Sequence, residues 1–272
     1  ATTPGINKIE EGVLGDPSVT PVEFTLEGYL PDLAITKPTL PIQILPGALP
    51  EPLAIEVTDP RKDNIGVKDV EVRFEDITSP PPGKATEFLP TSLVTDANGK
   101  GETGVIIPYY DPAKRTLKIY LPEFINPDTG EPLSQEIEIS VQGWVSLYGN
   151  GQIGTPGKAL ENPLRIYYYP AGTRIIFTAK SPGGLVDGQT SVDTVTDANG
   201  EARVMYTFGT ESKPQIIEAK YINPYTGQEE KVYFAAGPAE VRLVRKKFCA
   251  GWRREFDQRR LWQSDSGFRC TR

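Results

Sequence analysis

Histidine occurs nowhere in the 272 residues. Its absence removes the commonest general base, the Ser-His-Asp and Cys-His catalytic arrangements, and the usual zinc ligand sets. Carboxylate-pair hydrolysis, lysine chemistry and calcium sites survive that exclusion. Cysteine is nearly as scarce, with only Cys249 and Cys270. The two fit one disulfide in an exported protein, and two reduced thiols would read the same way. No stretch approaches the ~20 apolar residues that span a bilayer. The sequence starts at Ala1 with no basic-then-apolar leader behind it. Removal of a secretory leader, or a start point chosen there, would leave such an end. The expectation is a secreted, extracellular protein.

Proline and glycine are abundant, at 26 residues each, and the proline share is well above the usual ~5%. Proline interrupts helices and central strands, so the chain must turn often. Charge is unevenly spread. From Val241 onward there are ten Lys or Arg against three acids, a net of +7, so with −7 overall the first 240 residues carry −14. An acidic body with a basic end suggests an interaction segment.

The hexapeptide VTDANG occurs twice, at Val94–Gly99 and Val195–Gly200. A repeat of about a hundred residues indicates two copies of one domain. Around the first copy, apolar residues alternate in VEFTLEG, LAIEVTD, DVEVRFED, GETGVIIP, RTLKIYLPEF and QEIEISVQG. Around the second they do so in LRIYYYP, TRIIFTAK, EARVMYTF, PQIIEAKY and EKVYFAAG. Period-two alternation rich in Val, Ile, Phe and Tyr predicts half-buried strands. INPDTGE (Ile125–Glu131) answers INPYTGQ (Ile222–Gln228), and each lies between two such runs. Each is therefore predicted to join the last two strands of its domain. A third echo, VEFTLEGY against IEISVQGW, marks a strand that closes one domain and leads into the next.

The segments VTDANGKGETGVIIP and VTDANGEARVMYTF, with PLAIEVTDPRKDNIGVKDVEVRFED upstream of the first, resemble the bacterial immunoglobulin-like modules of the invasin and intimin type. The likeness covers roughly Val22–Gly237 and is specific for the module class rather than for one member. It implies an all-β chain of two tandem immunoglobulin-like β-sandwiches. The expected divisions are an N-terminal arm over 1–21, sandwiches over 22–143 and 144–237, and a basic, aromatic segment over 238–272. It also implies a non-catalytic stalk, adhesin or accessory piece at a cell surface. The Pro-rich stretch Pro31–Pro52, the arm and the basic end depart from the pattern.

Several residues invite functional readings. Asp96, Asn98 and Gly99, repeated as Asp197, Asn199 and Gly200, contain the D-x-N-G of a calcium loop but lack its distal Glu. The expected role is a tight turn, with Asp96 and Asp197 the weak calcium candidates. A calcium bridge between domains through Asp59, Asp63 and Glu161 is the alternative cofactor reading; no other cofactor is expected. Glu71 with Glu75, and Glu136 with Glu138, share strand faces and are expected to be solvated rather than catalytic. Tyr167, Tyr168 and Tyr169, with Trp144 and Tyr148, could form a glycan-binding face or pack at the domain junction.

The basic segment carries the partner-binding candidates Arg245, Lys246, Lys247, Trp252, Arg253, Arg254, Phe256, Arg259, Arg260 and Trp262. A Cys249–Cys270 bridge would close a loop worth roughly 3 kcal/mol. Head-to-tail self-association, pairing +7 with −14, stands beside a simple terminal cap, and nucleic acid is disfavoured. The arm contains one alternating piece, INKIEEGVL, suited to a partner's sheet edge or to an ordinary terminus.

Overall fold

The computed structural model describes residues 5–11, 22–39, 41–79, 84–108, 113–143 and 145–239. Among these the regular structure is all strand, with no helix. None is therefore long and apolar enough to cross a membrane.

The alternating runs become strands as their pattern dictates. The first sandwich uses β3 (Asp32–Lys37), β4 (Ile42–Ile44), β5 (Gly47–Ala48), β6 (Leu53–Asp59) and β7 (Ile65–Gly66). It continues with β8 (Glu71–Asp76), β9 (Glu87–Leu89), β10 (Ser92–Val94), β11 (Lys100–Ile107), β12 (Lys114–Ile125) and β13 (Pro132–Val141). One sheet has the order β10-β8-β12-β13-β4, the other β3-β6-β11-β5. In β8 the buried residues are Val72 and Phe74, while Glu71 and Glu75 point the other way. Leu117, Ile119 and Leu121 of β12 face Ile55, Val57 and Val105 from the opposite sheet in one core.

The second sandwich repeats the plan. Its strands are β14 (Ser146–Tyr148), β15 (Gln152–Gly154), β16 (Leu164–Tyr167), β17 (Arg174–Ala179), β18 (Leu185–Val186), β19 (Ser191–Val195), β20 (Glu201–Val204), β21 (Tyr206–Thr207), β22 (Gln215–Ile222) and β23 (Glu229–Pro238). They form sheets β14-β16-β20 and β15-β23-β22-β17-β19, with β18 paired to β21. Phe177, Phe234, Tyr206 and Phe208 fill its core. In both copies a short strand runs parallel to the last one, β4 on β13 and β15 on β23. Each INPxTG turn joins the final two strands as an antiparallel hairpin.

This is the strand order of an immunoglobulin-like sandwich, used twice in tandem.

β1 (Gly5–Glu11) and β2 (Val22–Gly28) form a two-stranded ribbon of their own. VEFTLEG thus lies outside the first sandwich, whose sheets begin at β3. The alternating INKIEE piece of the arm pairs within the chain, against β2.

Candidate functional site

VTDANG is not a hairpin in either copy. β10 belongs to one sheet and β11 to the other, and the same holds for β19 and β20. The hexapeptide carries the chain across the sandwich, and each residue has a task in that crossing. The buried Thr95 hydroxyl donates to the Val67 carbonyl at 2.7 Å and accepts from the Val70 amide at 3.0 Å. The Thr196 hydroxyl likewise donates to the Pro170 carbonyl at 3.1 Å and accepts from the Thr173 amide at 3.0 Å. Thr95 thereby pins the loop between β7 and β8, and Thr196 the loop between β16 and β17. The Asp96 carboxylate accepts from the Asn98 and Lys100 amides at 2.8 and 2.9 Å. Asp197 does the same with Asn199 and Glu201, at 2.8 and 2.9 Å. Those two backbone donors hold the Asp96 carboxyl below the ordinary carboxylate range. Gly99 takes φ +76°, and a methyl there would stand 2.3 Å from the Val57 carbonyl oxygen.

One oxygen of each turn aspartate is thus committed to backbone amides. Asp59 is committed too, accepting from the Arg61 guanidinium at 3.2 Å and from the Arg61 amide at 3.0 Å. Arg61 in turn lies 4.0 Å above the Tyr29 ring. Among the described residues no three acids are grouped to hold a metal ion, so nothing gathers Asp59, Asp63 and Glu161 together. Glu136 and Glu138 are exposed on β13, and Glu71 is turned to Arg73 at 2.8 Å.

The structure adds a feature that the pattern reading did not single out. Ala48, Leu89 and Ile106 of the first sandwich pack against Ile216, Ala235 and Tyr233 of the second, forming a separate apolar cluster. Ile106 and Ile216 are each 2% exposed and Ala235 is fully buried. The outer face of β22 and β23 is therefore covered by the first sandwich. The equivalent face one domain earlier is polar. Eight residues past the INPxTG glycine, where β23 has Ala235 opposite Ile216, β13 has Glu138 opposite Thr116. A methyl on Gly104 would rest 3.5 Å from the Ala235 methyl, so the two backbones approach closely. Lys213 reaches Glu102 at 4.0 Å at the rim. A cavity of about 210 Å³ opens beside the joint, with Glu87, Ile106, Leu147, Tyr148 and Asn150 among its walls.

The sequence signal of this joint is a break in alternation. Gly104–Ile107 and Phe234–Gly237 are buried at four successive residues, because strands covered on both faces read as continuous apolar runs.

The three tyrosines separate. Tyr168 turns inward and lies 4.2 Å from Tyr221, whose hydroxyl is pushed well up by burial and then by Glu230. Tyr169 is exposed and donates to the Asn199 carbonyl at 2.8 Å, closing over the second VTDANG turn. Tyr167 lies edge-on to Tyr148 at 5.3 Å and donates to Glu201. Trp144 lies outside the described residues, as do Cys249, Cys270 and all ten basic and aromatic candidates from Arg245 to Trp262.

No family model matches the chain, and no curated protein matches it. Solved structures do. A chimeric titin Z1Z2 tandem is 10% identical over 78% of this chain and 100% of its own, with a TM-score of 0.23. Invasin, a bacterial integrin-binding protein, is 14% identical over 76% of this chain and 40% of its own, with a TM-score of 0.27. A β-glucuronidase of Parabacteroides merdae is 12% identical over 76% of this chain and 25% of its own, with a TM-score of 0.21. The chain thus spans less than half of the invasin. The fold assignment stands on the strand order described above.

Proposed function

We propose that this chain is a non-catalytic, two-sandwich segment of an extracellular bacterial surface protein, serving as a stalk or adhesin piece. The observation that carries this reading is the buried joint. A tandem linked only by its covalent connection bends freely, whereas an apolar interface with close backbone contact transmits orientation from one domain to the next. A segment that holds a binding surface at a fixed distance and angle needs that property, and an independent pair of domains does not.

Self-association through the basic segment is the finer part of the proposal. The net charges of +7 and −14 favour head-to-tail contact between copies. Electron microscopy of the full chain beside a version ending at Gly237 tests it. Fibres that require the segment make the chain a polymer subunit. Separate particles in both samples remove assembly from the proposal and leave the stalk or adhesin reading.

A further inference from the structure

The outer face of the β14-β16-β20 sheet carries a six-residue grid fixed by strand register. One row is Ser146, Tyr167 and Glu201, and the next is Tyr148, Arg165 and Arg203. Residues directly opposite on antiparallel strands share a face, with Cβ atoms about 4.5–5.5 Å apart, and like charges there are destabilising. Arg165 and Arg203 are such a pair.

Neither arginine makes a salt bridge among the described residues, although eleven such bridges occur elsewhere and reach even exposed side chains. The Arg165 Nε is buried and has no hydrogen-bond partner. The acid facing this pair is Glu201, which accepts the Tyr167 hydroxyl. Beside the pair stand two aromatic rings. Tyr148 is 51% exposed, and the Arg165 guanidinium lies 5.6 Å from its centroid. Tyr148 also lines the cavity at the sandwich joint, to which Lys84 contributes as well.

We infer that this face binds an acidic saccharide. A guanidinium held against an aromatic ring is pre-oriented, and its planar fork matches a carboxylate or sulfate in a bidentate contact. Arg203 supplies a second cation directly opposite, so a bound anion relieves the repulsion that the free protein carries. The exposed Tyr148 ring offers an apolar face for the C–H side of a pyranose, and its hydroxyl offers a polar tip. A ring of one sugar on Tyr148 sets its anionic substituent beside the paired guanidinium groups of Arg165 and Arg203. This inference rests on the adhesin reading, and it deepens that reading by naming a ligand class.

The test is isothermal titration of the full chain with three probes: hexagalacturonate, a heparin-derived hexasaccharide and neutral cellohexaose. Hexagalacturonate binding identifies a carboxylated ligand and heparin binding a sulfated one, while cellohexaose does not bind. Tyr148→Ala and Arg203→Gln each weaken the acidic ligand by about tenfold or more while the melting temperature stays unchanged. Equal binding of cellohexaose overturns the inference. So does acidic binding that is unchanged in both variants, because the anion is then held by the basic segment. Absence of binding by either acidic probe overturns it as well. None of these failures touches the stalk reading, which concerns the joint and not this face.

Discussion

Gly47 and Tyr233 belong to different sandwiches, yet a methyl group on Gly47 would stand 2.8 Å from the Tyr233 carbonyl oxygen. The same methyl would meet the Leu147 side chain at 2.9 Å, and Gly47 itself has φ +145°. Position 47 therefore tolerates no side chain while the joint is closed. Gly47→Ala is expected to loosen the joint without unfolding either core, since neither core cluster includes Gly47. Limited proteolysis near Gly143–Ser146 should become faster in this variant, with both sandwiches surviving as fragments.

The apolar contact across the joint should be measurable as a coupling. Ile106→Ala and Ile216→Ala each remove a buried branched side chain, which costs about 2–5 kcal/mol in a core that cannot collapse. The two side chains share one small cluster. Their effects should fall short of additive by roughly 0.5–3 kcal/mol in a double-mutant cycle read by urea denaturation. Additive costs would mean that each isoleucine packs only within its own domain.

The repeated threonines predict graded behaviour in the two domains. Thr95→Val keeps the shape but leaves the buried Val70 amide without its acceptor, which costs about 1–3 kcal/mol. Thr196→Val should cost less, because the Thr173 amide is half-buried and still donates to the Pro170 carbonyl at 3.3 Å. Asp96→Ala removes two backbone bonds from a turn, and its effect should be the same with calcium as with a chelator. A larger loss in calcium would instead make Asp96 a ligand.

Stability should fall at both ends of the pH scale. Arg61 holds the Asp59 carboxyl below its ordinary value, and backbone amides do the same for Asp96. At Asp76 burial pushes upward, but hydrogen bonds from Thr78 and Thr86, with Arg115 nearby, outweigh it and leave the carboxyl low. A folded value below the unfolded one contributes stability above about pH 4, and that contribution is lost as the pH falls further. At the alkaline end, burial pushes the Tyr206 and Tyr233 hydroxyls up to about 12. Their contribution is complete below about pH 10 and is lost as the pH climbs through 12. Thermal melts followed by circular dichroism should show both limbs, with Asp96→Asn flattening the acid one and Tyr206→Phe the alkaline one.

Much of this fold was legible because its strands are half-buried. Where one face of β8, β12 or β13 meets the core and the other meets water, alternation records the arrangement directly. The two INPxTG turns were equally plain, since Asn126 and Asn223 bond the backbone two residues on in the same way. VTDANG was readable as a turn but not as a crossing between sheets, because local turn chemistry does not say which strand lies beside which. The echo between VEFTLEGY and IEISVQGW marked a strand that leads into the next domain, but it did not name that strand's partner, which is β1. Of the Tyr-Arg face only Tyr148 and Tyr167 stood out in the sequence, and the arginines did not, for a related reason. Arg165 and Arg203 are far apart in sequence and become neighbours only through ladder register.

The central claim is that the joint fixes the two sandwiches relative to each other. Residual dipolar couplings measured on the backbone amides of residues 32–239 test it most directly. One alignment tensor should fit both sandwiches together. Separate tensors of different magnitude for 32–141 and 146–238 would mean that the domains tumble independently, and would contradict it.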